Sequence, residues 1–519
     1  MQPIDFRARR AVNWGGRAIN LVLALTLVLA LALLPASKPQ PTAARLQPLL
    51  TTLAAQQPER VVSVIVQKSV KDDRVERAAR ALGGQVGQDL YIINAFVAEL
   101  TAADVAQLAQ ADGVRWISLN APMVSTTCTA DCLTSASNLK NIYNKVIGAD
   151  KVWLANPKRQ GTGIGVAVVD AGVNWQTDLY TKSGQNRVVA NVRFNTDYNQ
   201  TTFDNFGHGS HIAGIIGGNG NASNGQYIGV APMANLINVK VSNDDGSSTA
   251  SNVVAGLQWV LENRAQYNIR VVNISLNSAV NESYHTNPLD AAVEILWFNG
   301  IVVVVSAGNG GAGALYPPAN DPFVITVGAT DDKATALVTD DAPAAFSAYG
   351  TTTDGFAKPD LVAPGRNIVS LLGNVSGIIP TQHPANRVDL AYFRMSGTSM
   401  SAPMVAGAVA LLLEDEPNLN PDQVKYRLKA TAKKTGWGYD AAKAGAGYLD
   451  IYTALYATTT QTANTGVTAS RLLWTGTTPP AWSSVQWGSV QWGSVQWGSV
   501  QWGSVQWGSV QWGSDYWGP

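Results

Sequence analysis

Charge is sparse in this chain of 519 residues: only 14% are Asp, Glu, Lys or Arg, and 36 basic residues balance 36 acidic ones. A chain without net charge offers no electrostatic footprint to a polyanion, so nucleic-acid binding is excluded as a main function. Cysteine is scarcer still. Cys128 and Cys132 alone can build neither a disulfide framework nor a four-cysteine zinc site; they stand as one small loop or as two thiols. With only four histidines in the chain, the place of each is informative. What is abundant is apolar and small: 46% hydrophobic residues and 48 glycines suffice for a large packed core and argue against disorder. The length corresponds to about three domains at roughly 150 residues each.

Arg7, Arg9, Arg10 and Arg17 precede an uncharged apolar run over residues 21–34, followed by Pro35-Ala36-Ser37. This order of basic, apolar and small residues is that of an export signal, and the run is short for a membrane span. No A-x-A site follows Leu34, which leaves a retained anchor as the rival reading. Arg9-Arg10 by itself is a weak twin-arginine signal. Residues 1–45 are read as signal peptide and leader, and the protein is expected to be secreted.

Residues 58–123 alternate in type. An apolar strand over residues 61–66 precedes a charged helix over 73–82; strand residues 91–93 and 97–100 follow, then a helix over 101–111 opened by a Thr cap with Asp104 three residues on, then a strand over 114–117. This predicts a small βαββαβ unit. Residues 124–149, rich in Ser, Thr, Ala and Asn around the two cysteines, read as an exposed linker that a protease could cut.

From Gly161 the character changes. Gly163-Ile164-Gly165-Val166-Ala167-Val168-Val169 is a continuous apolar run ending in Asp170-Ala171-Gly172, the pattern of a buried parallel strand. Similar runs recur at 236–241, 271–276, 301–305 and 323–327, with helical patterns at 250–263 and 288–299 between them. The alternation predicts an α/β domain over residues 150–456, a parallel sheet flanked by helices with polar residues at strand ends facing one crevice. Asp170 sits at such an end, where an unpaired carboxylate costs several kcal/mol, so it needs a partner unless it is a simple turn or cap residue. His208 in Gly207-His208-Gly209-Ser210-His211 is the candidate. A metal pair with His211 is the rival, but no Glu lies between the two as in H-E-x-x-H and no third ligand cluster is evident. Ser399, in Gly397-Thr398-Ser399-Met400-Ser401-Ala402-Pro403, is set where a Gly/Ser turn enters a helix expected to begin near Pro403. There a serine meets free backbone N–H groups, although a helix cap is the bland alternative.

The segments around Asp170, His208 and Ser399 resemble the three signature motifs of the subtilisin-like serine proteases, in that family's order. Gly229-Val230-Ala231-Pro232, Ser306-Ala307-Gly308-Asn309 and Lys358-Pro359-Asp360-Leu361-Val362-Ala363-Pro364-Gly365 add supporting matches. The resemblance implies a serine endopeptidase that hydrolyses peptide bonds through an acyl-enzyme, needing no catalytic cofactor and no catalytic metal. Ser399 is then the nucleophile, His208 the general base and acid, Asp170 the group that fixes the imidazole, and Asn309 an oxyanion donor beside the Ser399 N–H. Protein or peptide substrates would add as a strand beside Ser275 and Leu276 and beside Gly246 and Ser247. Ser275, Leu276, Ser306, Ala307 and Gly308 would wall the primary pocket. Those walls carry no acid, so a medium or large apolar residue is expected before the cut, within broad specificity. Asn277-Ser278 stands where the family usually has glycines. Structural calcium is common among relatives, and no loop here has the EF-hand pattern.

By the same resemblance residues 58–123 are an inhibitor-type propeptide, a ferredoxin-like α+β unit that assists folding and blocks the cleft, its tail around residues 120–126 being cut by Ser399. Residues 457–519 are of another kind. Six copies of Ser-Val-Gln-Trp-Gly run from Ser484 to Gly513, and nine of the 16 tryptophans lie between Trp474 and Trp517. Because five is odd, one straight strand would place successive tryptophans on opposite faces. The tail reads as extended, as a turn-rich β array, or as a ladder whose rings stack on sugars or on a partner, which would attach the protein to a cell surface or polysaccharide. The second functional reading is accordingly a surface- or glycan-binding protein that uses this tail and carries an inactive protease scaffold.

Overall fold

The structure, a computed structural model, describes residues 45–125, 142–197 and 200–473. The leader, Thr126, both cysteines and the tryptophan repeats lie outside the described residues.

The N-terminal part is built around one hairpin-rich sheet. Strands β1 (Val61–Lys68), β2 (Gln85–Leu90), β3 (Ala95–Thr101) and β4 (Val114–Leu119) stand in the order β2-β3-β1-β4, with antiparallel pairs throughout. Helices α1 (Pro48–Gln56), α2 (Arg74–Ala81) and α3 (Ala102–Leu108) accompany them. Leu46, Leu50, Val64, Val66, Val75, Phe96, Val105 and Ile117 form their shared core. Thr101 caps α3 by accepting from the Asp104 N–H, as its spacing predicts. Two features differ from the sequence reading. The unit begins before residue 58, because Leu46 and Leu50 pack into this core. Tyr91–Ile93 is a single 3₁₀ turn closed by Asn94 at φ 50°, so the apolar Ile92 and Ile93 face the neighbouring domain's core instead of a strand partner.

The larger part carries an eight-stranded sheet. Its central order is β13 (Ile325–Asp331), β12 (Val302–Ser306), β10 (Ile269–Ile274), β6 (Gly165–Asp170), β8 (Asn235–Lys240) and β7 (Val188–Arg193), all parallel, with Leu361–Pro364 also parallel to β13 and Ala342–Pro343 antiparallel on its edge. β6 and β12 are buried along their whole length, which is why they read as unbroken valine runs. Helices α4 (Gly209–Gly217), α5 (Ala250–Asn263), α6 (Pro288–Phe298) and α7 (Thr398–Asp415) cover the sheet. Asn287 caps α6 ahead of Pro288, and Thr249 caps α5. β7 breaks the apolar rule: only Ala190 of its residues is buried.

α7 starts five residues earlier than expected and holds Pro403 inside it. A proline there has no N–H for the carbonyl four residues back, that of Ser399. The freed Ser399 carbonyl accepts instead from Ser275 Oγ at 3.2 Å, so the break in the helical ladder ties α7 to the end of β10. α7 packs on α4, and α4 in turn lies so close to the strand Ile368–Leu371 that a Cβ on Gly214 would meet Ser370 Oγ at 2.3 Å and Leu371 Cγ at 2.7 Å. Among the described residues no helix is long and apolar enough to cross a membrane.

This close approach is testable. Gly214→Val is expected to destabilise the fold by about 1–3 kcal/mol through overpacking, read as a lower urea midpoint at unchanged slope in the Ser399→Ala background.

Candidate active site

Parallel sheets gather their loops at the carboxyl ends of the strands, and the residues singled out in the sequence lie there. Asp170 closes β6, Ser275 follows β10, Ser306 closes β12 with Asn309 just beyond, and Ser399 is the second residue of α7.

Asp170 and His208 are both fully buried and in direct contact. His208 Nδ1 lies 2.8 Å from Asp170 Oδ1 and 3.0 Å from Oδ2, while Oδ1 also accepts from the Ala171 N–H at 2.7 Å. With the carboxylate on Nδ1, the proton belongs on that nitrogen and Nε2 is left basic. Among the described residues Nε2 has no hydrogen-bond partner. Burial opposes a charge on His208, but the Asp170 carboxylate, its hydrogen bond and the more distant Asp204 outweigh it, so the imidazole titrates above its ordinary value.

Glycine makes the contact geometrically available. A Cβ on Gly209 would lie 2.2 Å from the Gly172 carbonyl, so only glycine lets the start of α4 approach the end of β6. Asp204 then fixes the turn: its Oδ1 accepts from the Gly207 N–H at 2.6 Å and its Oδ2 from the Ser210 N–H at 2.8 Å. Burial pushes Asp204 itself up, against the pull of those two backbone bonds. Lys240 braces the other side, donating to the carbonyls of Ala171 and Phe203 and to Asp244 Oδ1 at 2.7–2.8 Å.

Ser399 Oγ lies 3.3 Å from the Ser275 carbonyl. Thr398 organises the neighbouring loop. Asn309 Oδ1 accepts from Thr398 N at 3.0 Å and from Thr398 Oγ1 at 3.1 Å, and Thr398 Oγ1 accepts from Gly308 N at 3.0 Å. With its oxygen held in this way, the Asn309 amide presents its NH₂ end on the side away from Thr398. Asn309 is half-buried, and preorganised donors of this kind stabilise charge that develops in a reaction.

His211 does not join a metal site with His208. Its Nε2 lies 3.2 Å and 3.1 Å from the carbonyls of Ile368 and Phe393, and burial holds its pKa down to about 3. Among the described residues no group of three His, Cys, Asp or Glu could hold a metal ion.

The expected substrate-binding residues are placed unevenly. Leu276 belongs to β11 (Leu276–Ser278), whose partner is the chain's own segment β5 (Pro122–Ser125), antiparallel with Leu276 opposite Ser125 and Ser278 opposite Met123. β5 pairs on its other edge with β9 (Ser248–Thr249). Gly246 and Ser247 form the turn ahead of β9, Gly246 at φ 83° and Ser247 bonded to Asp245, so the pairing edge lies one to three residues later than the sequence indicated. Asn277 Nδ2 donates to the Ser306 carbonyl at 3.1 Å, bridging the segments that Ser275–Leu276 and Ser306–Gly308 contribute. Asp204, Thr398 and Lys240 escaped the sequence reading. Asp204 carried one available signal, an acid four residues before His208, but its burial was not legible.

The chain is similar to several known proteins. Serine protease AprX of Bacillus subtilis (strain 168) is 39% identical over 347 residues, 65% of this chain and 74% of that one. Subtilisin Savinase of Lederbergia lenta is 34% identical over 276 residues, 53% of this chain and 86% of that one. Among solved structures, fervidolysin from Fervidobacterium pennivorans, a keratinolytic enzyme related to subtilisin, matches with a TM-score of 0.61 at 25% identity, over 78% of this chain and 62% of that one. The pattern of the subtilase family, Peptidase_S8, covers residues 161–448, more than half of the sequence, and the chain therefore belongs to the subtilase family of serine endopeptidases.

Proposed function

We propose that Asp170, His208 and Ser399 are the catalytic triad of a secreted endopeptidase made as a zymogen, with residues 46–125 as its intramolecular inhibitor. The observation that carries this reading is β5, a segment of the chain itself lying as a strand between β9 and β11, with Ser125 opposite Leu276, the neighbour of the Ser275 whose carbonyl lies 3.3 Å from Ser399 Oγ. Strand addition of this kind is how an extended peptide is held with little regard to sequence. Here the inhibitor occupies the place of a substrate.

In the reaction, His208 Nε2 takes the Ser399 hydroxyl proton as Oγ attacks the carbonyl carbon, and then returns it to the leaving amine. Asp170 holds the tautomer and stabilises the imidazolium. The oxyanion is met by Asn309 Nδ2 and the Ser399 N–H. Water then releases the acyl group by the reverse proton path. The leader pattern of residues 1–45 supports export as the setting.

We read the Asn277 side chain as part of the primary pocket. The Asn277 side chain lies between the presumed walls, with Oδ1 3.6 Å from the point where a Cβ on Gly308 would stand. A glycine at position 277 would leave that volume open, which favours a small residue before the cut in this reading. The residues on the amino side of a cut just beyond β5, Ser125 or Thr126, are of that size.

Ser399→Ala is expected to keep the N-terminal part, while the parent cuts itself to a new N-terminus at Thr126 or Thr127, read by gel and N-terminal sequencing. Asp170→Asn should lower kcat on the order of 10⁴-fold and Asn309→Ala about 10²- to 10³-fold, figures known for such residues in serine proteases; wild-type rates in either variant contradict these roles.

The pH profile follows from His208. Catalysis needs the neutral imidazole, so kcat/KM is full at high pH and is lost as pH falls through a pKa raised above 6.5. Asp204→Asn removes one contribution that raises it, and its acid limb should move to lower pH. Asn277→Gly should shift preference toward larger apolar residues before the cut, measured over a peptide series varied at that position alone.

A further inference from the structure

The family match ends at residue 448, yet the chain stays bound to the fold for another two dozen residues. Beyond the helix Ile451–Leu455, Asn464 Nδ2 donates to Asp422 Oδ1 at 2.7 Å and Tyr284 Oη to the Thr468 carbonyl at 2.8 Å. The Ser470 N–H is shared by both oxygens of Glu294 at 3.0 and 2.8 Å, and Ser470 Oγ and the Arg471 N–H donate to the His285 carbonyl. All these partners belong to the catalytic domain. The next contact belongs to the other one: the Leu472 carbonyl accepts from Arg115 Nη1 at 2.8 Å and from Gln67 Nε2 at 3.3 Å. Gln67 lies on β1, paired in register with Trp116, the neighbour of Arg115 on β4. Leu472 and Leu473 are buried in the same cluster as Ile65 and Ile93 of the N-terminal part.

Resting on the inhibitor reading of residues 46–125, we propose that the strap of residues 467–473 is part of the surface that holds the inhibitor, so that release of the inhibitor and freeing of the C-terminal extension are one coupled event. The strap is bonded at one end to the catalytic domain and at the other to the inhibitor sheet. A guanidinium taken out of water gains much from a carbonyl acceptor, and leaving it unmade is costly. Coupling of this kind is reciprocal: the strap tightens the inhibitor, and the inhibitor anchors the end from which the tryptophan repeats depart. After the inhibitor leaves, the Leu472 carbonyl loses both donors and the two leucines lose their cover.

The test uses the full chain. Arg115→Ala and the double change Leu472→Asp, Leu473→Asp are each followed by gel for the cut at β5 and by peptide assay for the appearance of activity. Both should shorten the delay between the cut and full activity by about tenfold, with kcat/KM of the matured enzyme unchanged; an unaltered delay in the Arg115→Ala chain overturns the proposal. Should the double variant fail to fold, amide exchange in the Ser399→Ala chain decides. Arg115→Ala should speed exchange at Leu472 and Leu473 several-fold while α7 stays protected, and unchanged exchange overturns the proposal. Absence of peptidase activity in every chain would fault the inhibitor reading instead, because the exchange measurement needs no activity.

Discussion

The contact between Asp170 and His208 is the constraint on which the working end of the molecule depends. A carboxylate at the end of a strand buried on both faces is costly unless its charge is answered, and the answer comes from a residue at the start of a separate helix. To bring them within 2.8 Å, the backbone of α4 must come almost into contact with the loop after β6, which only glycine at position 209 allows. Asp204 and Lys240 then hold the two loops from either side. The result is an imidazole held in one tautomer, with Nε2 left without a partner among the described residues. Its raised pKa comes with the same carboxylate that orients it.

The second constraint is the helix that presents Ser399. α7 runs through a proline that would ordinarily weaken it, and the carbonyl left over is that of Ser399 itself. Ser275 takes it up, so the residue at the nucleophile is fixed to the strand end where a substrate chain would pair. Thr398, one residue earlier, holds Asn309 in the same way. Adjacent residues of one turn, Thr398 and Ser399, therefore tie Asn309 and the end of β10 to the start of α7.

The N-terminal part uses the edges that this arrangement leaves open. β9 and β11 are short strands with a free side each, and β5 fills the space between them. The N-terminal part meets the larger domain elsewhere: Gln47 Nε2 donates to Glu282 Oε2 at 2.9 Å, and Asn120 Oδ1 accepts from the Ser251 N–H at 3.0 Å in the first turn of α5. Burial pushes Glu282 up to about 7, a sign of how thoroughly this interface excludes water. The C-terminal strap meets the same part through the Leu472 carbonyl, so that segments near both ends of the described chain touch.

Much of this was legible in the sequence because its physics is local. Buried parallel strands announce themselves as valine and isoleucine runs, α5 and α6 were readable in their helical spacing, and the motifs around Asp170, His208 and Ser399 are each compressed into a few residues. The family and its reaction follow from those. Tertiary structure alone decided what depends on neighbours distant in the chain: that Pro403 lies within α7, where Ser275 takes up the carbonyl it leaves; that the Asn277 amide reaches across to the Ser306 carbonyl; that Asp204 is buried against backbone N–H groups; and that residues 467–473 bond to both parts of the chain. In each case a polar group must find its hydrogen-bond partner across the fold, and no periodicity in the sequence records which partner that is.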